Sequence, residues 1–316
     1  MGRKRAGARA KRLRLRSKPA SEQATTGFNL KLAYWNCNGI SSLSKQQEIV
    51  DALNSKEMDL VFIDETHLRK GTNVDMSVFA PWSPIFTERD FNMKTGGGKL
   101  ILKSDRVNCS EWTTTGTDND WINSERSWLL VHSGGCKLAI CSVYMAAEVT
   151  ANNDFVAWND CLYSSIQGEL KGFQQTGYKC MIIGDMNAHV GDMPEGIVGN
   201  RPGVNSNGRK LLNFVQKNGL VMLNKEKSIC SETFTRIMPV SSSILDYVLV
   251  TPDLTKEVVR MIVDEDLALF TGSDHVVITV DLLLDCEQEP SPDRANKGLF
   301  LRPDRDLSKA KAIMDV

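Results

Sequence analysis

The chain is short of histidine, of paired cysteines and of long apolar runs, and each shortage removes a class of explanation. No stretch approaches the ~18 consecutive apolar residues that would cross a bilayer, so no membrane partner is expected of a chain that is 41% hydrophobic and 24% charged. Its 8 cysteines are scattered from Cys37 to Cys286 with no C-x-x-C pair. That is the pattern of reduced thiols in an intracellular protein, not of a disulfide scaffold. The 4 histidines (His67, His132, His189 and His275) lie far apart and none stands at ligand spacing from a cysteine, which argues against a structural zinc site. No internal repeat is visible, and no apolar segment follows the basic N-terminus as a secretory signal would require.

What is present is distributed unevenly. The net charge of -1 hides a basic arm, residues 1 to 18, with nine Lys or Arg and no acid, leaving 29 basic against 39 acidic residues in the remainder. Such an arm reads as a segment for nucleic-acid binding or nuclear entry. A solvated tail without either role, or an Arg-rich transit peptide, is also compatible with its composition. Residues 1–27 are therefore expected to form a disordered tail, 28–284 one domain, and the Pro-rich stretch "DCEQEPSPDRANKG" to open a polar linker or frayed tail over 285–316.

Within the domain, apolar runs of strand length recur: "LKLAYW", "DLVFID", "GKLILK", "WLLVH", "LAICSVY", "CMIIG", "LVMLN", "ILDYVLV" and "VVITVDLLL". Helical spacing marks residues 44–57, where Ile49, Val50 and Leu53 share a face behind a Ser44/Gln47 capping box. It also marks 154–170, with Phe155, Trp158, Leu162, Ile166 and Leu170 in one stripe, and 208–218, with Leu211, Leu212 and Val215 ahead of Gly219 as a stop. Many strands with few, separated helices imply an α/β (α+β) layered fold, sheets packed face to face with helices on the outer faces.

Polar residues gather where these strands end. Asn36 and Asn38 follow "KLAYW", Glu65 follows "DLVFID", Tyr144 follows "LAICSV", and Asp185 with Asn187 follows "MIIG". Asp246 interrupts "ILDYVLV", and Asp274-His275 precedes the final apolar run. If that last strand runs antiparallel to its neighbours, its start lies beside their ends and one rim collects all of these groups. Each has a plain structural reading by itself: Asn and Asp favour turns through side-chain bonds to nearby backbone, and a lone Tyr is usually core. His67, His132 and His189 are read as structural or surface residues.

The ordered set "WNCNG", "DETHL", "SVYMA", "GDMNAHVG", "SILDYV", "SDHVVI" resembles the endonuclease/exonuclease/phosphatase superfamily from about residue 31 to 284. The first two segments, with "VGNRPGVNSNGRKLLNFVQKNGLVMLN", look most like the apurinic-like endonuclease domains of non-LTR (LINE-type) retrotransposons. The resemblance implies a four-layer α/β sandwich of two mixed sheets with a magnesium-dependent phosphodiesterase site. Carried over residue by residue, it makes Asn36, Tyr144, Asp185, Asn187, Asp246 and His275 catalytic, with Tyr144, Asn187 and Asn36 also meeting substrate, and assigns Glu65, Asn38 and Asp274 to the metal or its surroundings. Asn38 stands where apurinic repair enzymes carry an Asp. Ala146 and Ala147 stand where the family commonly has Pro and then Asn or Pro, which puts a phosphate contact from that loop in doubt.

The chemistry expected of such a set is hydrolysis of a phosphodiester. Glu65 offers a hard oxygen to Mg²⁺, with Mn²⁺ able to substitute, and Asn38 adds a neutral ligand. Asp185 accepts a proton from water, Asn187 orients it, and Asp246 holds the His275 imidazole for a phosphate oxygen. Either Asp185 or His275 could be the general base on sequence grounds. The expected protein is a monomeric, nuclear, DNA-nicking endonuclease, a fragment without its reverse transcriptase partner, with target preference residing in loops such as 88–98 and 105–127. A phosphatase or phosphodiesterase acting on other phosphate esters, and an inactive nucleic-acid-binding relic, are the competing readings.

Overall fold

A computed structural model describes residues 27–285 apart from 69–70, 72–73, 88–96, 114–119, 148–153, 192–202, 231–233, 240, 265–269 and 271. The basic arm, the tail after 285 and most of the 88–98 loop lie outside the described residues. Going along the chain, the first strands and helix are β1 (Phe28–Asn36), α1 (Leu43–Lys56), β2 (Leu60–Asp64), β3 (Ser83–Thr87) and β4 (Lys99–Lys103). Next come β5 (Cys109–Trp112), α2 (Asp120–Glu125), β6 (Arg126–Val131), β7 (Leu138–Tyr144), α3 (Asp154–Gln175) and β8 (Lys179–Asp185). The last run adds α4 (Ser206–Asn218), β9 (Val221–Met222), β10 (Arg236–Met238), β11 (Ser241–Ser243), β12 (Asp246–Val250), α5 (Pro252–Thr255), β13 (Val258–Val263) and β14 (Ile278–Leu284).

Two 6-stranded sheets result, ordered β13-β14-β1-β2-β4-β3 and β5-β6-β7-β8-β12-β9. Both are mixed. β1 and β2 run parallel, joined over α1, and β7 and β8 run parallel, joined over α3, while the other pairs within the sheets are antiparallel. A parallel pair needs a crossover, and the crossover places its helix on one face of the sheet. Three apolar clusters follow. Leu30, Leu32, Phe62, Ile140, Ile183 and Val248 fill the space between the sheets. Trp35, Ile49, Leu53 and Ile63 pack α1 on the first sheet, and Leu162, Ile166, Ile182 and Leu211 pack α3 and α4 on the second. Helix, sheet, sheet, helix is the expected four-layer sandwich. Strand alternation produces it, since Leu30, Leu32 and Tyr34 face the second sheet while Ala33 and Trp35 face α1. Each such side chain, fully buried, contributes on the order of 2 kcal/mol.

The local expectations need four corrections. α1 begins one residue earlier than expected, and its cap is Ser42, which accepts from Lys45 N–H at 3.3 Å. Gln47 bonds Asp51 one turn on (3.0 Å), so the Ser44/Gln47 box does not form. α3 continues to Gln175, adding Phe173 to its buried stripe; the Phe155 side chain lies outside the described residues. The run "LVMLN" is a strand for two residues only. There Asn224 takes over the pairing with its side chain, donating to Asp246 O (3.1 Å) and accepting from Val248 N–H (3.0 Å). Gly219 closes α4 in the left-handed conformation, as expected. Among the described residues no disulfide joins the cysteines, and no helix is long and apolar enough to cross a membrane.

Candidate active site

The polar residues occupy one transverse row of each sheet. Asn36 pairs in register with Asp64 and Asp64 with Lys99 across the first sheet. Tyr144 pairs with Asp185 and Asp185 with Asp246 across the second. Alternation aims the row toward the opposite sheet, two residues beyond Tyr34, Phe62, Ile183 and Val248. β14 runs antiparallel to β1, with Ile278 opposite Tyr34, so the segment before it carries His275 to the same end. Trp35 Nε1 donates to His275 O (3.0 Å) and Ser273 Oγ to Asn36 O (2.8 Å), tying that segment to the end of β1.

Asp185 is the hub. Its Oδ2 accepts from Asn36 Nδ2 (3.0 Å) and Asn187 Nδ2 (3.3 Å), and its Oδ1 accepts from Asn187 N–H (2.8 Å). The last bond is an Asx turn. The strand has ended at Asp185, and Asn187, at φ 44°, comes back to it through that turn, not through alternation along an extended chain. The structural reading of "DMN" as a turn and the functional one are therefore the same geometry. Left-handed backbone is uncommon outside glycine. Among the described residues the non-glycine cases are Asn38, Glu65, His67 and Asn187 at the strand ends of this site, with Glu57 at the end of α1. Such strain gathers where the surroundings over-determine a functional conformation.

Asp246 stands directly opposite Asp185 in the β8–β12 pairing, a costly place for two like charges. His275 offsets it. Its Nδ1 lies 2.8 Å from Asp246 Oδ2 and its Nε2 lies 3.9 Å from Asp185 Oδ2. Burial opposes the imidazolium, yet the charge and hydrogen bond of Asp246, with Asp185 beyond, raise His275 to about 10. Burial and the Asp246 charge push Asp185 up to about 8, with His275 pulling the other way. Asp185, Asp246 and His275 form a group whose ligand atoms all lie within 4.8 Å of one another. Carboxylate oxygens are hard donors suited to a divalent ion, and a cation would relieve the facing carboxylates, so the donor set fits one.

Glu65 sits beside this group at the rim. Burial opposes its charge, but hydrogen bonds from His67 and Tyr144 hold its carboxyl below the usual range. Tyr144, expected to donate to phosphate, here donates to Glu65; burial and the nearby Glu65 and Asp185 charges raise its phenol. Asn38 is exposed, and its N–H reaches Asn36 Oδ1 at 3.3 Å. Asp274, expected at the metal or in its surroundings, gives its carboxylate to Arg236 Nε at 2.6 Å. Of the residues expected at the metal, Glu65 and Asn38 lie at the rim, whereas the close-set donors are Asp185, Asp246 and His275.

The sequence reading missed several residues. His67 was read as structural or surface, yet its Nε2 is 3.6 Å from Glu65 Oε2; its place one residue beyond "DET" was the available signal. Tyr34 Oη accepts the Asp185 N–H at 2.7 Å, bridging the sheets. Lys99 and Asp64 form a buried ion pair at 2.5 Å, with side chains 2% and 1% exposed, and Ser142 Oγ bonds the same Asp64 oxygen at 3.0 Å. An isolated Lys opening "KLILK" two residues from Ile101 was the clue, because alternation sends Lys99 and Ile101 to the same face.

Comparison with known proteins agrees with this picture. The profile of the Endonuclease/Exonuclease/phosphatase family matches residues 33–275. A 3′ phosphatase from Neisseria, bound to a product DNA hairpin, superimposes with TM-score 0.62 at 16% identity, covering 80% of this chain and 99% of its own. The endonuclease domain of TRAS1, a telomere-specific non-LTR retrotransposon, gives 0.56 at 14% identity, covering 81% and 99%. An AP endonuclease from Archaeoglobus fulgidus gives 0.59 at 16%, covering 80% and 99%. At these identities the likeness concerns the fold. No curated protein sequence matches the chain.

Proposed function

The chain belongs to the endonuclease/exonuclease/phosphatase family, and from that premise we propose that it is a Mg²⁺-dependent endonuclease that nicks DNA, of the kind carried by non-LTR retrotransposons. The coarser statement, a metal-dependent hydrolase, has the support of the fold and of the Asp185, Asp246 and His275 group. The observation that carries the catalytic reading is the contact of a raised carboxyl with an imidazolium: Asp185 Oδ2 stands 3.9 Å from His275 Nε2.

His275, held protonated to about 10, has no free pair to accept a proton near neutral pH. That suits His275 to donate to a phosphate oxygen, and it leaves Asp185, itself pushed up to about 8, as the base in its ionised form, whose share grows as pH climbs toward 8. Asp246 keeps the imidazole turned by holding Nδ1. Both Nδ2 protons of Asn187 are committed, to Met145 O (2.8 Å) and Asp185 Oδ2 (3.3 Å), so its amide oxygen is the atom it offers to a water. Glu65, with Asn38, would hold Mg²⁺ or Mn²⁺, and the carboxylates of the Asp185–Asp246–His275 group fit a divalent ion as well, whereas His275 would ligate one only in its neutral form. When bound, the ion supplies positive charge for the phosphate and the leaving oxygen.

The retroelement assignment draws on the likeness to the TRAS1 domain, and DNA as substrate draws on the basic arm and on the DNA hairpin held by the Neisseria protein. Under this reading the protein acts as a monomer in the nucleus, joined in a full element to a reverse transcriptase that extends the nick. The second reading, a phosphatase for other phosphate esters, is favoured by the activity in the name of that same Neisseria neighbour. The deciding experiment offers supercoiled plasmid, a 3′-phosphorylated oligonucleotide, sphingomyelin and an inositol phosphate to the full chain in Mg²⁺. Faster turnover of the plasmid supports the endonuclease. Faster turnover of a phosphomonoester or lipid substrate replaces it.

A further inference from the structure

We infer that Asn159 and Asn207 are positioning residues for this site, a buried amide pair that fixes the Asp185–Asn187 turn against the loop leaving β7; the inference rests on the function proposed above. The loop after β7 carries Ala146 and Ala147, with no proline to stiffen it. Asn159, on α3, donates to Ala146 O (2.9 Å) and accepts from Ala146 N–H (3.0 Å), clamping that residue from both sides. It also donates to Asn207 Oδ1 at 2.9 Å. Asn207, on the first turn of α4, passes the connection on. Its Nδ2 donates to Ala146 O (3.0 Å) and to Asn187 O (3.2 Å).

Asn205, the cap of α4, completes the attachment. Its Nδ2 reaches Asn187 O at 3.2 Å, and its Oδ1 accepts from His189 N–H (2.9 Å) and Gly208 N–H (2.7 Å). The start of α4 is pressed so closely on this turn that a Cβ at Gly208 would lie 1.8 Å from His189 O. The amides are buried, Asn159 1% and Asn207 4% exposed. The plain reading is a satisfied polar pair in a core. Its bonds nevertheless run to the backbones of the two segments that carry Tyr144 and Asp185–Asn187, and Asn187 is the residue held at φ 44°. A displacement of about 1 Å at a reacting group can cost on the order of 100-fold in rate, so the pair acts on the chemistry through the turn.

The test uses the full chain with Asn159→Ala, Asn207→Asp and, as a control on the same helix α3, Ser165→Ala. Two quantities are read: kcat and KM for plasmid nicking, and amide hydrogen exchange of segments 144–147 and 185–189 in metal-free protein. The expected result is a fall in kcat of about 30-fold or more with KM within about twofold. Exchange should accelerate at both segments, the double variant should lose little more than the worse single, and Ser165→Ala should change neither reading. Unchanged exchange, or accelerated exchange with normal kcat, overturns the inference. If Asn207→Asp does not fold, Asn207→Ala replaces it under the same two outcomes. Should the wild-type chain leave DNA intact, the nuclease reading fails and exchange alone decides: acceleration confined to the two segments upholds the positioning role, and uniform or absent acceleration removes it.

Discussion

Two neighbouring rows of the same strands, both facing the gap between the sheets, differ in almost every chemical respect. The deeper row, with Tyr34, Phe62 and Ile101 on one sheet and Ile183 and Val248 on the other, is almost entirely apolar. One step toward the strand ends stand Asn36, Asp64, Lys99, Tyr144, Asp185 and Asp246. Burial hardly separates them, since Asp64, Asp185 and Asp246 are 0%, 1% and 0% exposed against 0% for Phe62, Ile183 and Val248. Burial alone therefore says little about role. An apolar row stabilises the fold by leaving water, whereas a charged row at the same depth costs free energy unless each charge is paired. The pairing is present but incomplete: Asp64 Oδ2 has no hydrogen-bond partner, and two carboxylates face each other across β8 and β12.

If the rows differ in purpose as they do in chemistry, substitutions should separate rate from stability. The largest effect is expected of Glu65→Ala at the partly exposed rim: Mg²⁺-dependent cleavage should fall by about 10³-fold or more, with circular dichroism unchanged because no core cavity opens. Nicking at the wild-type rate would remove Glu65 from the metal. Next, His275→Ala and Asp246→Ala should each lower the single-turnover rate by about 10²–10³-fold, and the double variant little further, because residues acting as one unit are not additive. Losses that add in log rate would mean independent roles. In the deeper row, Ile183→Ala should lower unfolding free energy by about 3 kcal/mol while kcat of the folded fraction stays within about twofold, as denaturant titration beside nicking would show.

The smallest effect expected is on pH dependence. His275 is raised from 6.5 to about 10 and Asp185 from 3.8 to about 8. A raised folded pKa stabilises fully below the unfolded value and loses that contribution as pH climbs through the folded one. The melting temperature of metal-free protein should therefore fall as pH rises, with His275 accounting for the decline between pH 6.5 and about 10. Asp246→Asn removes the charge that raises both groups and should flatten that decline by roughly 3 °C for each kcal/mol involved. Parallel curves for the two proteins in EDTA would show that Asp246 does not hold the proton on His275.

Sequence legibility follows the same division between interior and margin. Central strands such as β1, β7 and β8 announced themselves because they are apolar on both faces. The edge strands did not: β13 and β3 border one sheet and β5 borders the other, and "CSEW" or "SPIFT" is half-buried and carries no clear alternation. Among the site residues, Asp246 was visible as an acid interrupting an apolar run, while Asp185 and His275 stand at the ends of such runs and took their expected roles from the family resemblance. The Lys99–Asp64 pair was harder to see, since it depends on a register between β2 and β4 that no local pattern states. Asn159 and Asn207 were less visible still, an Asn on a helix having no periodic signature.

The central claim is that the polar row forms a metal-activated site for cutting DNA. Its most direct measurement follows conversion of supercoiled plasmid to open circles by the full chain in Mg²⁺, in excess EDTA, and with Asp185→Asn. Open circles should accumulate with Mg²⁺, disappear in EDTA and fall by at least about 10²-fold with the variant. Conversion that persists in EDTA, or proceeds at the wild-type rate without the Asp185 carboxylate, would contradict the account.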